Sequence, residues 1–331
     1  MARWALTVLA AGLSTAAAAP GAPATTSYLD GHTHFDQKDI PGSIQAALAG
    51  LEKQNAAMIF LLPPPDTFDN PAHYDAEVIL AAARLHPGKL AVMGGGGTLN
   101  AMIHQSVVSG DAGPKVLEAF RKRAEELAAE GVVGYGEMTA EHFAGGTPYQ
   151  YAPADHPLFL LLADIGARHG LPIDLHLEAV PQPMPLPAGL KSPPNPPQLH
   201  ENIAAFERLL AHNPKENIVW AHAGTDGTGL RTPELCRRLL QAHSNLYMEL
   251  KLDGSATARN SPLAGGKVDP DWLKLFQDFP DRFIIGSDQH YPELPGAQRW
   301  QAPVLLLNQL PGDLQRSIGK DNALRIYGVA K

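Results

Sequence analysis

Two histidines near the start of the chain, His32 and His34, are one residue apart and follow a short extended run. Side chains two positions apart on a strand point to the same face, so these two imidazoles lie side by side. Such a pair suits a divalent metal ion, although most isolated pairs of this kind are ordinary surface or core histidines. The pair gains weight only if other ligands converge on it.

Four later strand-like runs each carry one more ligand-type side chain near their end: Glu137, His176, His222 and Asp288. Taken singly, a histidine or an acid at a strand end is usually a solvated or capping residue. Taken together, these residues favour a shared metal site. Ionisable groups on strands that are buried on both faces need partners, and a metal ion supplies one.

The spacing of apolar residues predicts the elements that position these side chains. Strand-like runs alternate with helix-period patterns along the chain. The predicted strands are residues 28–31, 57–62, 90–94, 132–138, 172–178, 218–224, 246–252 and 283–288. Eight strands alternating with helices predict an α/β fold, the closed parallel (β/α)8 or TIM barrel. An open doubly wound sheet is the alternative, but no Gly-x-Gly-x-x-Gly turn follows the first strand.

Loop lengths predict which end of the barrel is functional. Helix-to-strand connections are short, whereas the strand-to-helix connections 95–113, 139–154, 179–198 and 254–269 are long. Long loops of this kind gather over the C-terminal mouth, where the metal site is therefore expected. Residues 181–197 contain eight prolines and are expected to form a stiff extended loop, either a lid or a surface excursion.

Composition excludes several classes of protein. The chain has 331 residues, 44% of them hydrophobic, which is enough for a large buried core. Only 18% of residues are charged and the net charge is −8, which argues against nucleic acid as a partner. The single cysteine, Cys236, excludes an internal disulfide framework.

Residues 1–24 have the pattern of a secretory signal peptide. Arg3 precedes an apolar run at 6–13, and an Ala/Ser/Thr-rich segment follows. Ala22-Pro23-Ala24 fits a small-x-small cleavage site, and cleavage nearer Ala18 is the alternative. A membrane anchor fits less well because the apolar run is too short to cross a bilayer. We expect a periplasmic or secreted protein with no stable membrane insertion.

The order His-x-His, Glu, His, His, Asp on strands one, four, five, six and eight resembles the amidohydrolase superfamily, in its amidohydrolase-related (amidohydrolase 2-like) branch. Residues 218–224, 283–288 and 322–328 are also similar to that branch. The resemblance implies a barrel domain over residues 25–331 that binds one or two divalent metals, most commonly zinc. It further implies hydrolysis of an amide, ester, lactone or phosphoester bond, although some relatives are decarboxylases.

The resemblance also implies a set of metal ligands. They are His32, His34, Glu137, His176, His222 and Asp288. The two histidines of strand one and Asp288 are expected to hold a first metal, and His176 and His222 a second. Glu137 takes the bridging position, where the best-known relatives have a carbamylated lysine. In single-metal relatives His176 joins the first metal and His222 contacts substrate, and the sequence leaves both arrangements open.

This ligand set suits metal-assisted hydrolysis. Water on such an ion becomes a nucleophile near neutral pH, and Asp288 is expected to shuttle its proton. His222 or the second metal is expected to stabilise the developing oxyanion. Asp30 shares the parity of the first two histidines, and it either orients a ligand through a hydrogen bond or is a structural acid of the barrel floor.

Further side chains are expected to line the lumen and bind substrate. In strand seven the apolar residues alternate with Tyr247, Glu249 and Lys251. Glu249 and Lys251 are expected to pair with each other, the alternative being that Lys251 receives an anionic substrate group. Tyr135, by parity with the metal ligand two residues later, and Glu178 complete the candidate substrate-binding set.

The sequence therefore predicts an exported metal-dependent hydrolase, with Asp288 and His222 as catalytic residues and a small molecule as substrate. Two alternatives remain: a metal-dependent decarboxylase on the same barrel, and a metal-holding binding protein without turnover. The presence of Asp288 argues against the last, because a binding protein needs no proton shuttle. A homo-oligomer is compatible with the sequence.

Overall fold

The computed structural model describes residues 21–70, 73–145, 148–252, 260–293 and 297–329. Of the predicted signal segment, residues 1–20 lie outside the described residues. Residues 253–259, within one of the predicted mouth loops, also lie outside them. In the described part of the chain, no helix combines the length and the apolar character that crossing a membrane requires.

Eight parallel strand positions form the centre of the molecule, and two of them are interrupted. The strands are β1 (Tyr28–Phe35), β2 (Ala56–Leu62), β3 (Leu90–Val92 and Gly94–Gly95), β4 (Tyr135–His142), β5 (Ile173–Leu177), β6 (Ile218–Ala223), β7 (Leu246–Leu250) and β8 (Phe283–Ile285 and Gln289–Tyr291). The first piece of β3 pairs with β2 and the second with β4, while the two pieces of β8 pair with β7 and β1. The sheet therefore closes on itself, and the predicted TIM barrel is confirmed.

Helices surround the barrel. They are α1 (Ile40–Gln54), α2 (Glu77–Ala83), α3 (Leu99–Ser109), α4 (Pro114–Glu130), α5 (Pro157–His169), α6 (Ile203–His212), α7 (Pro233–Ala242), α8 (Pro270–Asp278), α9 (Gln301–Leu307), α10 (Gly312–Arg316) and α11 (Asn322–Tyr327), with a π-helical turn at Ser317–Asp321 between the last two. The expectation that residues 95–113 form a loop is wrong, because α3 occupies most of that stretch. Its end is marked by Gly110 in the left-handed region, with φ of 68°.

The barrel interior is divided between an apolar floor and a polar mouth. The floor is formed by residues such as Leu29, Phe60 and Ile284 from three strands, and by Ile326 and Tyr327 of α11, which packs across that end. This apolar layer excludes water from below. Polar side chains on the same strands therefore collect at the opposite end, where the strands deliver their C-terminal residues.

The Pro-rich segment 181–197 is an ordered excursion. Met184–Pro185 pairs with Gln198–Leu199 in a short antiparallel ladder. Its apolar residues pack against Phe143, which follows β4, and the Asn195 side chain accepts from Ala144 N (2.8 Å) and donates to Ala144 O (3.1 Å). The segment contains no helix, as expected, and it is joined to the segment that follows β4.

Candidate metal centre

Strand β1 delivers His32 and His34 into the mouth with their Nε2 atoms facing the centre. The outer nitrogens are occupied: His34 Nδ1 lies 3.2 Å from Leu62 O, and His32 Nδ1 lies 3.3 Å from an oxygen of Asp174. The inner nitrogen of His32 is fully buried and has no hydrogen-bond partner among the described residues. A buried imidazole nitrogen without a partner is costly, which marks this position as one that a ligand or ion completes.

Glu137 lies between two pairs of histidines and presents one oxygen to each pair. Its Oε1 is 2.8 Å from His176 Nδ1 and 3.0 Å from His222 Nε2. Its Oε2 is 3.4 Å from His34 Nε2 and 3.6 Å from His32 Nε2. Burial opposes ionisation of this carboxyl, but hydrogen bonds with the surrounding histidines outweigh burial and hold its pKa well below the usual range.

Asp288 joins the first pair from the broken strand β8. Its Oδ1 lies 3.0 Å from His34 Nε2, and its backbone N–H donates to His32 O at 2.8 Å. Its Oδ2 is bound by Lys251 Nζ at 2.5 Å and by the guanidinium of Arg299. Burial raises the pKa of Asp288, but the charge of Lys251 and the bond to His34 hold it well below its usual range.

Asp30 acts on the residue before Asp288. Fully buried, it accepts from the backbone N–H of Ser287 at 2.8 Å and from the Ser287 hydroxyl at 2.6 Å. These bonds join β1 to the interruption of β8. Burial raises the pKa of Asp30 to about 6, although Ser287 opposes that shift. Asp30 therefore bonds Ser287 rather than the side chain of an expected ligand, which favours the second of the two roles expected from sequence, a structural acid of the barrel.

His222 enters the site through an irregularity of β6. The pairing of β6 with β7 shifts register between Trp220 and Ala223, and His222 has φ of 65°. Its backbone N–H donates to Glu249 Oε2 at 2.9 Å, and its Nδ1 lies 3.2 Å from the same oxygen. Burial together with the charge of Lys251 lowers the pKa of His222 well below its usual value, so the ring is neutral.

Two of the candidate substrate-binding residues lie beneath or beside the site rather than in the cavity. Glu249 is fully buried, and burial raises its pKa to about 8. The expected pairing of Glu249 with Lys251 is wrong: Lys251 lies beyond the end of β7 and reaches Asp288, while Glu249 faces His222 one layer deeper. Glu178 accepts from Gly227 N at 2.8 Å and lies 3.5 Å from His176 Nε2.

The expectation that Tyr135 faces the site is wrong. Its hydroxyl donates to Ala124 O of α4 at 2.9 Å, and its ring belongs to the core between strands and helices. The pairing of β4 with β5 shifts register between Tyr135 and Met138. Simple alternation therefore fails across this stretch, and Glu137 faces the site while Tyr135 faces the opposite way.

A cavity of about 410 Å³ opens above these residues. Five of the expected ligands line it, together with Lys251. Its walls include His142, Gln150 and Arg299, which sequence reasoning missed, together with Phe143 of the segment after β4 and His290 of β8. Arg299 follows no recognisable pattern in sequence, since it lies in the connection between β8 and α9.

The donor set fits divalent cations. Among the described residues, three groups place their ligand atoms within 4.8 Å of one another. The groups are His32, Glu137 and His222; His32, His34 and Asp288; and His32, Asp174 and Glu249. Bonds of about 2.1 Å place the ligands of a tetrahedral zinc ion about 3.4 Å apart, close to the contacts around Glu137. Imidazole and carboxylate donors suit such an ion.

The chain is similar to known proteins over most of its length. A family model described as Amidohydrolase matches residues 30–329. No curated protein is significantly similar to the chain. A solved structure of a probable 2-pyrone-4,6-dicarboxylic acid hydrolase from Acinetobacter baumannii is similar, with a TM-score of 0.53 and 13% identity over 92% of this chain and 100% of that one.

Two decarboxylase structures have the same fold. One is 2,6-dihydroxybenzoate decarboxylase from Rhizobium, with a TM-score of 0.52 and 13% identity over 92% of this chain and 99% of that one. The other is a dihydroxybenzoic acid decarboxylase from Polaromonas with bound manganese, with a TM-score of 0.51 and 13% identity over 93% and 98%. These likenesses extend over nearly the whole barrel, and the family match covers it as well. The chain belongs to the amidohydrolase family.

Proposed function

We propose that this protein is a metal-dependent hydrolase whose site holds two divalent cations bridged by Glu137. One observation carries the proposal. The two carboxylate oxygens of Glu137 face different pairs of histidines, one pair on β1 and the other on β5 and β6. A carboxylate placed in this way has the geometry of a bridge between two ions, whereas a single ion needs only one of its oxygens.

The residues assign themselves to two positions. His32, His34 and Asp288, whose ligand atoms lie within 4.8 Å of one another, would hold one ion. His176 and His222, which approach the same oxygen of Glu137, would hold the other. When bound, such cations supply Lewis acidity that makes water a nucleophile near neutral pH. We assign zinc, because neutral imidazoles and carboxylates suit it, and the metal analysis described below tests that assignment.

Asp288 is placed to hold and move the proton. Its carboxyl group is ionised and lines the cavity, and its two oxygens face different partners. Lys251 and Arg299 on Oδ2 limit its basicity in the resting site. A polar or anionic group of the substrate that engages these cations would release Oδ2 as a proton acceptor. The cavity volume suits a small-molecule substrate.

A decarboxylase is the second candidate. The observation that favours it is the presence of Lys251 and Arg299 in the cavity wall, since two cations there suit a carboxylated substrate. The structures of similar fold from Rhizobium and Polaromonas are decarboxylases of dihydroxybenzoates. The bridging placement of Glu137 favours hydrolysis over this alternative, because it serves a pair of ions that activates water.

Two measurements test the proposal. Elemental analysis of the purified protein should give about two divalent ions per chain, with zinc predominant; a ratio near one contradicts the bridged arrangement. Turnover of a panel of esters, lactones, amides and phosphoesters in ¹⁸O-labelled water should place the label in the product. Release of CO₂ from dihydroxybenzoates, with no labelled hydrolysis product from the panel, would favour the decarboxylase.

We also propose export of the protein. The pattern of Arg3, the apolar run at 6–13 and the small residues after it supports this. Ala24 is buried, and its backbone N–H donates to Gln54 O at 3.0 Å. Its place in the fold favours cleavage nearer Ala18 over cleavage directly after Ala24. N-terminal sequencing of protein recovered from the periplasm or medium tests both points, and an uncleaved chain in the cytoplasm contradicts them.

A further inference from the structure

Arg231 is not among the site residues expected from sequence. It lies almost fully buried behind the second half of the site, which His176 and His222 form. It follows β6 in a turn organised by Asp226, whose carboxylate accepts from the backbone N–H groups of Leu230 and Arg231 at 2.6 and 2.7 Å. The Thr228 hydroxyl also donates to this carboxylate, at 2.8 Å. Only 2% of Arg231 is exposed, so the turn directs a charged side chain into the protein.

The guanidinium of Arg231 joins two strands. Its two terminal nitrogens donate to Leu177 O at the end of β5 and to Ala221 O in β6. Its planar face lies 3.9 Å from the ring centroid of Trp220, whose Nε1–H also donates to Leu177 O at 2.8 Å. The guanidinium of arginine is planar, and its donors have fixed directions. It can therefore bind two carbonyls at a defined separation and stack on an aromatic ring at the same time.

The location of this bridge explains its importance. Backbone pairing between β5 and β6 begins at Ile173 and Ile218 and ends at Leu175 and Trp220. The carbonyls bound by the arginine lie beyond that point, where no ladder bond fixes the distance between the two strands. Each strand end is paired with its outer neighbour, Leu177 with Glu141 of β4 and Ala223 with Leu250 of β7, but the separation of β5 from β6 at this level depends on side-chain contacts.

The two carbonyls belong to the neighbours of the expected ligands of the second ion. Leu177 directly follows His176, and Ala221 directly precedes His222. These histidines approach the same oxygen of Glu137, so a change in the separation of their strands moves one relative to the other. The ligand separation that an ion tolerates varies by only a few tenths of an ångström.

We propose that Arg231 is a positioning residue that sets the spacing of His176 and His222 and thereby the affinity of the second cation position. The inference rests on the two-ion site of the proposed function. It assigns to one residue a role in one half of the site only. The first position, built on β1 and β8, does not depend on Arg231.

The test compares Arg231→Met with a matched control elsewhere in the barrel. Arg282→Met removes an arginine that also donates to two backbone carbonyls, His243 O and Leu246 O, and that also lies over an aromatic ring, Tyr247. That arginine sits at the opposite end of β7, remote from the site. Both substitutions remove an arginine that binds two backbone carbonyls, although Arg282 is only partly buried and uses one nitrogen for both, so the melting temperature of each variant is compared with its metal affinity.

Zinc stoichiometry and affinity are measured in each full-length protein by titration with a chelator competitor, together with the melting temperature of the metal-free form. We expect wild type and Arg282→Met to bind two ions. Arg231→Met should bind the first ion normally and the second about 10- to 100-fold more weakly, the range observed for groups that orient ligands. Cobalt absorption should show loss of one of two sites.

Four results overturn the inference. Arg231→Met that retains wild-type affinity for both ions contradicts it, and so does equal weakening of the two ions. If Arg231→Met does not fold, Arg231→Lys is measured in its place. Lysine keeps the charge but lacks the fixed donors of the guanidinium, so full affinity for the second ion in Arg231→Lys also contradicts the proposal. A wild type that binds only one ion refutes the two-ion function itself, and the inference with it, before any variant is compared.

Discussion

The two halves of the metal centre are held by different means. In the first half backbone contacts join the ligands: His34 is paired with Leu62 on one side and His290 on the other, and Asp288 N–H donates to His32 O. In the other half His176 is paired with Thr139 of β4, but the ladder between β5 and β6 stops before the two ligand histidines. Side-chain bonds join the parts of this half: Arg231 donates to carbonyls at the ends of β5 and β6, and Glu249 accepts from the backbone N–H of His222.

This difference predicts which substitutions each half of the metal centre should tolerate. A ligand fixed by main-chain bonds keeps its place when a neighbouring side chain changes, because the ladder is independent of residue type. A ligand fixed by side chains is displaced when one of them is lost. We therefore expect the first ion position to be robust and the second to be sensitive, and the predictions below test that contrast.

The largest effect is expected for Asp288→Asn. The amide keeps the size and the hydrogen-bonding reach of the side chain but cannot accept a proton as a carboxylate does. Turnover of whichever panel substrate the wild type hydrolyses should fall about 10²- to 10⁴-fold, the usual contribution of general acid–base catalysis. Both ion positions should remain measurable by metal analysis. Unchanged activity with bound metal would contradict the role of Asp288 as the proton shuttle.

Next in size are the single-ligand variants His34→Ala and His176→Ala. Each should reduce the metal content from about two to about one per chain, since each removes a donor from a different position. The contrast predicts that the ion retained by His176→Ala is the more tightly bound of the wild-type pair. Competition with a chelator measures this. If the ion retained by His34→Ala is the tighter, the proposed ranking of the two halves is wrong.

A smaller effect should follow Glu249→Gln. Glu249 accepts from the backbone N–H of His222 and faces its ring Nδ1. In the first half of the site, Asp174 faces the ring Nδ1 of His32 in a similar way. Loss of the carboxylate should weaken the second ion by about 10-fold. Asp174→Asn is the matched variant and should weaken the first ion less. Equal losses in the two variants would remove the distinction between the halves.

The smallest effect on the site, and a useful control, is expected for Glu216→Gln. Glu216 lies just before β6 at the far end of the barrel, is 2% exposed, and leaves Oε1 without a partner. Burial raises its pKa well above the usual value. Between the unfolded pKa and this raised pKa the folded state retains a proton that the unfolded state releases, so stability falls as pH rises.

The glutamine variant should therefore be more stable than wild type at pH 8, by about 1–3 kcal/mol, and the gain should shrink towards pH 4. Denaturant unfolding at the two pH values measures it. Metal content should not change. A stability gain that is equal at both pH values would show that the carboxyl does not titrate as its burial requires.

Sequence predicted the regular part of this centre. The placement of His32 and His34 on one face was predicted from alternation within a single strand, and His34 is paired with both neighbouring strands, although the β1–β2 pairing shifts register between Asp30 and Thr33. The barrel follows from the repeated strand and helix patterns in the same way. Regular pairing is a local property, so it can be read from local spacing.

The irregular part could not be predicted. Tyr135 was assigned to the wrong face because the register shift in β4 depends on its pairing with β5, which no local pattern reveals. Arg231 and Arg299 lie in connections, where direction is set by the turn and not by a period. The ionic partner of Lys251 was missed for a related reason, since Asp288 reaches it only where β8 is interrupted.

The Pro-rich excursion separates two tasks that many enzymes combine. It carries none of the expected ligands, yet through Asn195 and its apolar residues it fixes Ala144 and Phe143 beside the cavity. The shape of the cavity can therefore drift through insertions and exchanges in this segment while the ion-binding strands stay constant. For an engineer, it is the natural place to graft new selectivity onto an unaltered reaction centre.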